Sequence, residues 1–459
     1  MNPSGDDVDV AVIGAGNIGL AVAYYLVRKH GVSRIALVDP RDPMSFTSAQ
    51  SGENYRNWWP HPVMTAFTDD SIGLMEEIAR ESGNRIAMTR RGYALATRRD
   101  DPADLIEDLY RGYAGQGEKS IRVHKGAGPH STYRPAFSAA WEDAPEGVDV
   151  LCDRALIRRT FPTFAEDVGT VLHIRRAGSI SGQQLGQYML EAVRSAGGRL
   201  IRGEVVGIEK VAPFVLSIAA PDAARQVRAD RVVNAAGPFF ADVARLLGED
   251  LPVRCVYQQK ISFEDHEGAV PRNLPFTIDL DGQVLDWTEE ERAILAEDPA
   301  AARLTQFIAG GIHCRPDGAE GGKWIKLGWA FNEHAGDPHG PEPADDHFPD
   351  IVLRAASRLQ PALRAYVGRL PRGARHYGGY YTMTKENWPL IGPTATPGAF
   401  VAGALSGFGT MAACTTGLIC ADRIMETDTA PYASRLGLER YRDPAFMAEL
   451  TGLQSKGVL

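Results

Sequence analysis

The hydrophobic pattern of the first forty residues predicts a strand, a helix and a second strand in close succession. Residues 8–13 form a short apolar run, and residues 34–38 form another. The segment between them is rich in Ala and has the spacing of a helix. It opens on Gly14, Gly16 and Gly19, which fit the pattern G-x-G-x-x-G directly after a strand. This order is typical of a dinucleotide-binding unit.

Each glycine of this turn has a physical role. Gly14 permits the tight turn, Gly16 lets the backbone approach a pyrophosphate, and Gly19 lets the helix lie close to the strand. Asp39 ends the second strand and is expected to accept ribose hydroxyls, which disfavours a 2′-phosphate, although Arg41 weakens that exclusion. The motif predicts a bound dinucleotide without separating FAD from NAD. The alternative is a glycine-rich turn in a nucleotide-free fold.

Strand and helix signals of the same type return farther along the chain. Residues 182–210 predict a helix, a Gly-Gly turn and a pair of strands, and residues 231–238 predict an apolar strand that ends in small residues. Residues 401–411 again predict a strand, a glycine-rich turn and a helix. In contrast, residues 254–330 alternate as strands, interrupted by an acidic helix around residues 287–302.

Length and charge limit the classes of function. The 459 residues indicate two to three domains, or two domains with interleaved segments. A net charge of −9 argues against a nucleic-acid partner, which needs clustered Lys and Arg. Residues 399–421 are uncharged but rich in Gly, Ser and Thr, so we expect a buried turn and helix and no membrane contact.

Two further features bear on location. The five cysteines are scattered without a C-x-x-C pair, which is typical of a reducing compartment. The first nine residues are polar and acidic and lack the features of a signal or transit peptide. A cytoplasmic location is therefore expected, and the oligomeric state is not predicted.

Several motifs together resemble the D-amino-acid oxidase superfamily of FAD-dependent oxidoreductases. They are the glycine turn with Asp39, the loop at residues 48–56, and residues 234–238, 380–392 and 406–409. The resemblance covers nearly the whole chain. It is closest to the branch of monomeric sarcosine oxidase and related N-substituted amino-acid oxidases.

Two details carry the resemblance to that branch. Tyr381 and Thr382 stand where the D-amino-acid oxidase branch commonly has an Arg. Residues 326–329, with the sequence KLGW, resemble the lysine-bearing strand of the sarcosine oxidase branch.

The resemblance implies an α/β fold, α+β overall, with two discontinuous domains. A Rossmann-like FAD-binding domain would comprise residues 1–90, 155–247 and 378–430. A substrate-binding domain of mainly antiparallel sheet plus helices would comprise residues 91–154 and 248–377, followed by a C-terminal helical tail at residues 431–459. The residues expected to contact FAD are Gly14, Ala15, Gly16, Asn17, Ile18, Gly19, Asp39, Pro40, Arg41, Ser48, Ser51, Gly52, Val205, Ala235, Ala236, Gly237, Gly379, Gly407, Phe408, Gly409 and Thr410.

Lys326 is the most specific functional candidate that the resemblance provides. The matching lysine of that branch hydrogen-bonds through water toward flavin N5 and helps O2 to accept electrons. A cation suits this role because it stabilises superoxide as it forms in a low-dielectric site. Alternatively, Lys323 and Lys326 lie on an ordinary solvated strand face.

Three positions depart from the branch. The Cys that attaches FAD covalently is replaced by Gly379, so we expect noncovalent FAD. The lysine that helps bind substrate carboxylate is replaced by Met411, and the histidine after the O2-activating lysine is replaced by Ala330. The resemblance therefore implies an incomplete clamp for a small carboxylate.

Arg56 is the remaining candidate for a substrate carboxylate, because a guanidinium can bind it through two hydrogen bonds. Alternatively, it pairs with Glu53 or packs on Trp58. His313 and Arg315 are predicted on one face of a strand near the site, where either could orient a substrate, although a surface edge is equally compatible. Aromatic residues in this region favour a substrate larger or more apolar than sarcosine. The expected substrate-binding residues are Arg56, Tyr257, His313, Tyr381 and Met411.

The resulting hypothesis is oxidation of the C–N bond of an amine or amino acid by hydride transfer to flavin N5. Water hydrolyses the imine, and O2 reoxidises the flavin to give H2O2. The expected catalytic residues are Lys326, Tyr381, Arg56 and His313.

The alternatives are a dehydrogenase of the same fold that passes electrons to a quinone or protein carrier, and a non-catalytic flavin-binding regulator. An NAD(P)-dependent reductase is less favoured because only one strong G-x-G-x-x-G unit is present. No metal is expected, since the spacing of His334, His339, Asp345 and His347 matches none of the usual ligand patterns.

Overall fold

Two large sheets organise the computed structural model, which describes residues 7–114, 120–126, 133–136, 141–142, 144–210, 213–299, 301–318 and 321–453. The strands are β1 (Asp7–Ile13), β2 (Ile35–Asp39), β3 (Asn54–Arg56), β4 (Tyr93–Thr97), β5 (Ile121–His124), β6 (Val148–Leu151), β7 (Thr170–Ile174), β8 (Ala177–Ser179), β9 (Arg199–Arg202), β10 (Glu204–Glu209), β11 (Phe214–Ala219), β12 (Arg225–Asn234), β13 (Val253–Glu264), β14 (Phe276–Asp279), β15 (Gln283–Val284), β16 (Phe307–Ile308), β17 (Ile312–Pro316), β18 (Trp324–Trp329), β19 (Arg375–Thr384), β20 (Leu390–Pro393) and β21 (Ala399–Gly403). The α-helices are α1 (Asn17–Arg28), α2 (Pro62–Glu81), α3 (Ala103–Gly112), α4 (Arg154–Thr160), α5 (Gly182–Ser195), α6 (Phe240–Leu246), α7 (Glu289–Glu297), α8 (Phe348–Ser357), α9 (Gly409–Ile424) and α10 (Pro444–Gly452).

The first sheet has a parallel core in the order β21-β12-β1-β2-β9, extended by the antiparallel strands β10 and β11. Alternate residues of β1 belong to different hydrophobic clusters. Val10 and Val12 pack in the cluster that contains α1 and α9, whereas Ala11 and Ile13 pack in the cluster of β11 and β12. Both faces of the strand are thus buried, which is typical of parallel sheets. The predicted Rossmann-like arrangement is confirmed.

The second sheet has nine strands among the described residues, in the order β19-β13-β18-β17-β14-β4-β7-β6-β5. It is mainly antiparallel, with parallel pairs at β14–β4 and β5–β6. Ile261 and Phe263 of β13 pack in the hydrophobic cluster that contains Phe348 of α8. Because side chains alternate along a strand, Lys260 and Ser262 project from the opposite face. That face lines the candidate site.

Two expected domain boundaries fall differently from the sheets. The boundary at residue 378 lies inside β19, which pairs with β13 along its whole length. After the boundary at residue 155, β7 still pairs with β4 and β6 of the second sheet. Backbone hydrogen bonding determines to which sheet a strand belongs, and composition does not reveal it.

The other predicted elements agree more closely with the structure. The acidic helix forms as α7, where Thr288 and Glu291 make a capping box. The tail contains two short 3-10 helices and α10, while residues 454–459 lie outside the described residues. No described helix combines the length and hydropathy needed to cross a bilayer.

Candidate active site

The glycine turn after β1 leaves no space for side chains. A Cβ on Gly14, whose φ is +108°, would lie 2.3 Å from the Ala235 carbonyl oxygen, and one on Gly19 would lie 1.9 Å from the Gly14 carbonyl oxygen. A Cβ on Gly16 would meet Ser48 Oγ at 2.9 Å. The N-cap residue of α1 is Gly16 and has no side chain to cap the helix, although Ser48 Oγ accepts the Asn17 N–H at 3.0 Å, and the first turn lacks an acidic residue. The turn therefore offers backbone N–H groups and a positive helix end to an anion.

Asp39 at the end of β2 holds this turn in place. Its carboxylate accepts hydrogen bonds from the backbone N–H groups of Ala15 and Arg41, both at 2.8 Å. Each carboxylate oxygen keeps a second lone pair for a further donor such as a ribose hydroxyl. The guanidinium of Arg41 lies 4.4 Å from the ring centre of Phe46 and 5.0 Å from that of Phe239.

A second helix N-terminus, that of α9, meets that of α1, and its N-cap residue Phe408 makes no capping hydrogen bond through its side chain. The Thr410 hydroxyl accepts a hydrogen bond of 3.0 Å from the Asn17 side-chain amide and lies 2.8 Å from Ser51 Oγ. The Oδ1 atom of Asn17 is buried and has no hydrogen-bond partner among the described residues. An orphaned buried acceptor beside two positive helix ends fits a bound phosphorylated cofactor that supplies donors of its own.

The turn before α9 is set by unusual backbone angles. Ala404 and Ser406 have φ values of 56° and 46°, and the Ser406 N–H donates to the Thr382 carbonyl oxygen of β19 at 2.9 Å. A Cβ on Gly407 would lie 2.6 Å from the Tyr381 ring. This turn therefore packs closely against β19 and brings α9 to the second sheet.

The strand register gathers the expected catalytic side chains on one face of the second sheet. Lys260 on β13 lies opposite Gly328 on β18, which in turn lies opposite His313 on β17. Tyr381 on β19 has the same facing, because it pairs with Val256, an even number of residues before Lys260. A cavity separates this face from the N-terminus of α9. Its lining includes Arg56, Lys260, His313, Tyr381, Phe408 and Met411.

Several expected cofactor residues also reach this cavity. Ser51, Gly52, Gly407, Phe408 and Thr410 contribute to its walls. Farther away, Val205 lies on β10, and Ala235, Ala236 and Gly237 follow β12 beside the glycine turn. A Cβ on Gly379 would lie 3.1 Å from Gln50 Cβ, so this position of β19 packs on the loop that precedes Ser51. All five cysteines are free.

Tyr257, which was expected to contact substrate, does not line this cavity. Tyr257 lies three residues before Lys260 on β13, so it projects from the other face of the sheet. Its ring packs against Tyr380, and its hydroxyl donates to the Glu342 carboxylate at 2.9 Å. Tyr257 lines a different cavity, between the sheet and Phe348.

His313 is neutral at ordinary pH. Burial, followed by the nearby charge of Lys260, lowers the pKa of His313 to about 3. Its Nδ1 lies 3.2 Å from the Gly311 carbonyl oxygen, which can only accept. We therefore assign the proton to Nδ1 and leave Nε2 as an acceptor. Nε2 lies beside Gly328, where a Cβ would approach it to 2.5 Å.

Arg56 is buried among aromatic rings and also lines the cavity. Its guanidinium carbon lies 4.8 Å from the ring centre of Trp59, 5.9 Å from Trp58 and 5.8 Å from Tyr93. Burial lowers its pKa to about 10, which still leaves it charged at neutral pH. The alternatives to substrate binding were pairing with Glu53 and packing on Trp58, and the ring contacts agree with packing. Arg56 still lines the cavity in this arrangement.

Lys326 belongs to an acid–base cluster of Glu53, Arg315, Asp317 and Lys326. Its Nζ lies 3.4 Å from the Asp317 carboxylate and 3.8 Å from that of Glu53. Arg315 contacts Asp317 at 2.8 Å and donates to the Gly52 carbonyl oxygen at 2.9 Å. Burial, together with the charge of Arg315, lowers the pKa of Lys326 to about 8. The solvated-face alternative therefore describes Lys323, which is exposed, and fails for Lys326.

Lys260 is a cavity residue that the sequence analysis did not single out. Its side chain is buried, and its Nζ lies 5.7 Å from the ring centre of Tyr381. Within the described part of the chain it forms no ion pair, and burial alone lowers its pKa to about 8. The sequence feature that could have identified Lys260 is its position in the middle of the long strand pattern of β13.

The alternative metal site does not assemble. His339 Nε2 lies 3.0 Å from the Asp242 carboxylate, and the His347 backbone N–H donates to Asp345. Among the described residues, no group of three or more His, Cys, Asp or Glu side chains is placed to hold a metal ion.

Comparisons with known proteins agree with this geometry. The model of a family described as FAD dependent oxidoreductase (DAO) matches residues 9–423. A solved structure of glycine oxidase from Geobacillus kaustophilus is similar, with 19% identity, a TM-score of 0.68, and coverage of 95% of this chain and 99% of that one. No curated protein sequence matches the chain.

Two further solved structures are similar. L-proline dehydrogenase from P. horikoshii has 15% identity, a TM-score of 0.70, and coverage of 95% and 98% of the two chains. Iminodiacetate oxidase from Chelativorans sp. BNC1 has 17% identity, a TM-score of 0.63, and coverage of 93% and 98%. At these identities the structures establish a shared fold.

Proposed function

We propose, from the premise that this chain belongs to the DAO family of FAD-dependent oxidoreductases, that it oxidises the C–N bond of an amine or N-substituted amino acid. The amine, O2 and water would give a carbonyl compound, the released amine or ammonia, and H2O2. When bound, FAD supplies the acceptor for the hydrogen and two electrons that leave the substrate's α carbon.

One observation carries the proposal: Arg56, His313 and Tyr381 line the same cavity although they come from three distant segments. Arg56 supplies two parallel donors for a substrate carboxylate. His313 Nε2 accepts a hydrogen bond from the substrate amine and so orients it in the cavity. Burial raises the pKa of Tyr381 to about 12, so its hydroxyl stays protonated and serves as a hydrogen-bonding group.

The walls of the cavity exclude water from the reacting carbon. Trp59 and Phe408 pack edge to face, with ring centres 4.8 Å apart, and Phe276 packs on His313 at 5.1 Å. These rings fix the side chains that contact substrate. Positioning and dehydration are therefore the main contributions of the protein to the rate.

O2 is the proposed acceptor because the buried cation Lys326 lies beside the loop that carries Ser51 and Glu53. A positive charge there stabilises superoxide as it forms. The fold itself does not select O2, since the similar structures include both oxidases and an L-proline dehydrogenase. A dehydrogenase that uses another carrier is the alternative to be separated by experiment.

The proposal is tested by mixing the FAD-loaded protein anaerobically with a panel of primary and secondary amines and amino acids. We expect at least one of them to bleach the flavin absorbance, and we expect one H2O2 per turnover when O2 is admitted. If no amine bleaches the flavin, the proposal is wrong. Bleaching without H2O2 would instead identify a dehydrogenase.

Two tyrosines provide a matched pair of variants. Tyr381→Phe removes a hydroxyl from the cavity and should slow flavin reduction about tenfold, as expected for one lost hydrogen bond. Tyr257→Phe removes the same group from the other face of the sheet and should leave the reduction rate unchanged. Equal effects of the two changes would contradict the assigned site.

A further inference from the structure

One buried cation in the cavity, Lys260, forms no ion pair within the part of the chain that the structure describes. Lys260 is only 4% exposed, yet no carboxylate of the described residues forms an ion pair with it. Lys326, one strand away on the same face, is equally buried but contacts two carboxylates. The acid–base cluster contains two acids and two bases, so it has no net charge left to neutralise Lys260.

An isolated buried ammonium group is costly, because it loses its hydration without gaining a counter-ion. Glu53 also lines this cavity, but within the described residues its carboxylate lies within 4 Å of Lys326 and Arg315 and forms no ion pair with Lys260. Three other groups beside Lys260 are neutral. His313 is uncharged, Tyr381 remains protonated, and Gly328 carries no side chain. An anion in the cavity would remove this cost and form a charge-assisted hydrogen bond.

The side chains of Lys260 and His313 pack directly over Gly328 of β18. A Cβ on Gly328 would lie 3.0 Å from Lys260 Cγ and 2.5 Å from His313 Nε2. Glycine at this position therefore lets the lysine and the histidine lie side by side on the cavity wall. The Lys260 side chain lines the same cavity as Arg56.

We propose that Lys260 binds a second acidic group of the substrate, in addition to the carboxylate assigned to Arg56. The substrates would then be amines that carry two acid groups, such as acidic amino acids or N-carboxyalkyl amino acids. This inference rests on the proposed function, because it places both acid groups on one amine substrate. A neutral side chain at residue 260 would not select amines that carry a second acid group.

The test uses two probes that cannot be oxidised, glutarate and pentanoate, which differ by one terminal carboxylate. Their binding to the FAD-loaded protein is followed by flavin absorbance changes and by calorimetry. Glutarate should bind about tenfold to hundredfold more tightly than pentanoate, as expected for a charged hydrogen bond. Lys260→Met should abolish this preference, and Lys260→Arg should retain part of it. Lys323→Met, on the exposed surface, is the control and should leave the preference unchanged.

Two results would overturn the inference. One is a wild-type protein without a preference for glutarate, and the other is a preference that persists in Lys260→Met. If Lys260→Met changes the flavin reduction potential or the rate of reoxidation but keeps the preference, the lysine serves the cofactor or O2, and the inference is again wrong. Failure of the proposed function is a separate result, since it is measured by amine-dependent bleaching, which these probes do not require.

Discussion

One face of the second sheet carries two buried lysines, Lys326 and Lys260, whose electrostatic surroundings differ. In the acid–base cluster, Lys326 lies within 4 Å of two carboxylates, and Arg315 ties the cluster to the loop at Gly52. In the cavity half, Lys260 lies beside neutral His313 and Tyr381 and has no carboxylate among the described residues. Burial lowers the pKa of both lysines to about 8. The presence of partners therefore distinguishes a structural lysine from one available to a ligand.

The difference arises in the loop that faces the sheet. Glu53 has a φ of 57°, and its carboxylate accepts the Gly182 N–H at 3.0 Å while it faces Lys326 at 3.8 Å. In this conformation the Glu53 carboxylate forms ion pairs with Lys326 and Arg315, and none with Lys260, although Glu53 also lines the cavity.

The largest effect is expected from Asp317→Asn, which removes one acid from the neutral cluster. Arg315 and Lys326 would share a single remaining carboxylate in a buried setting. Loss of one partner of a buried pair costs about 3–5 kcal/mol, so unfolding in denaturant should show a loss near the lower end of that range. A loss of unfolding free energy below about 1 kcal/mol would mean that the cluster is effectively solvated. The contrast between Lys326 and Lys260 would then be contradicted.

Lys260→Met should have the opposite sign. The pKa of Lys260 lies about 2.5 units below its ordinary value of 10.5, which corresponds to a cost on the order of 3 kcal/mol for the buried charge. That cost is present below pH 8 and disappears by pH 10.5, because in that interval only the unfolded state binds the proton. Denaturant unfolding of the loaded variant at pH 7 should therefore show stabilisation that is absent at pH 10.5.

Lys326→Met is the matched comparison for that variant. Lys326→Met also leaves Asp317 and Glu53 with Arg315 as the one cation of the described residues that pairs with both, so a smaller stabilisation than that of Lys260→Met is expected. Equal stabilisation by both substitutions would show that the carboxylates do not distinguish the two lysines.

Gly328→Ala should disturb the cavity half alone. The new methyl would meet His313 Nε2 and Lys260 Cγ, and such overpacking costs about 1–3 kcal/mol. We expect destabilisation of about 2 kcal/mol together with weaker glutarate binding. Gly321→Ala is the control, because a Cβ there has no heavy atom within 4 Å. Unchanged glutarate binding in Gly328→Ala would contradict the placement of these side chains.

The smallest effect expected is a pH dependence of ligand preference. Lys260 is charged below about pH 8, so the preference for glutarate should be full at pH 7 and decrease by about tenfold by pH 9. Over this range His313 and Tyr381 keep one protonation state, whereas Lys326 titrates as well. Calorimetric titrations of wild type and Lys260→Met separate the two lysines. A preference that is constant from pH 7 to 9 would exclude charge on Lys260 as its source.

Local motifs made part of this molecule predictable. Gly14, Gly16 and Gly19 act within one turn, so their spacing alone predicts the strand, the helix and the close approach between them. The same holds for the turn and helix around residues 404–411, whose signals are contiguous. Family resemblance then supplied Arg56 and Tyr381, which do line the cavity.

Sheet register was the part that the sequence did not reveal. Tyr257 and Lys260 lie three residues apart, so only one of them can face the cavity, and the pattern of β13 does not show which. Similarly, the partners of Lys326 come from the residue after β17 and from the loop before β3. Their proximity depends on long-range pairing that no local spacing encodes.

The hydrogen bond between Asn17 and Thr410 joins residues 393 positions apart, and it constrains when this part of the site can form. Synthesis at about 5–20 residues per second puts about 20–80 s between these two positions. During that interval the glycine turn has emerged, while α9 and the end of the cavity that it forms have not. The two helix ends that meet at this hydrogen bond therefore exist together only after α9 has been synthesised.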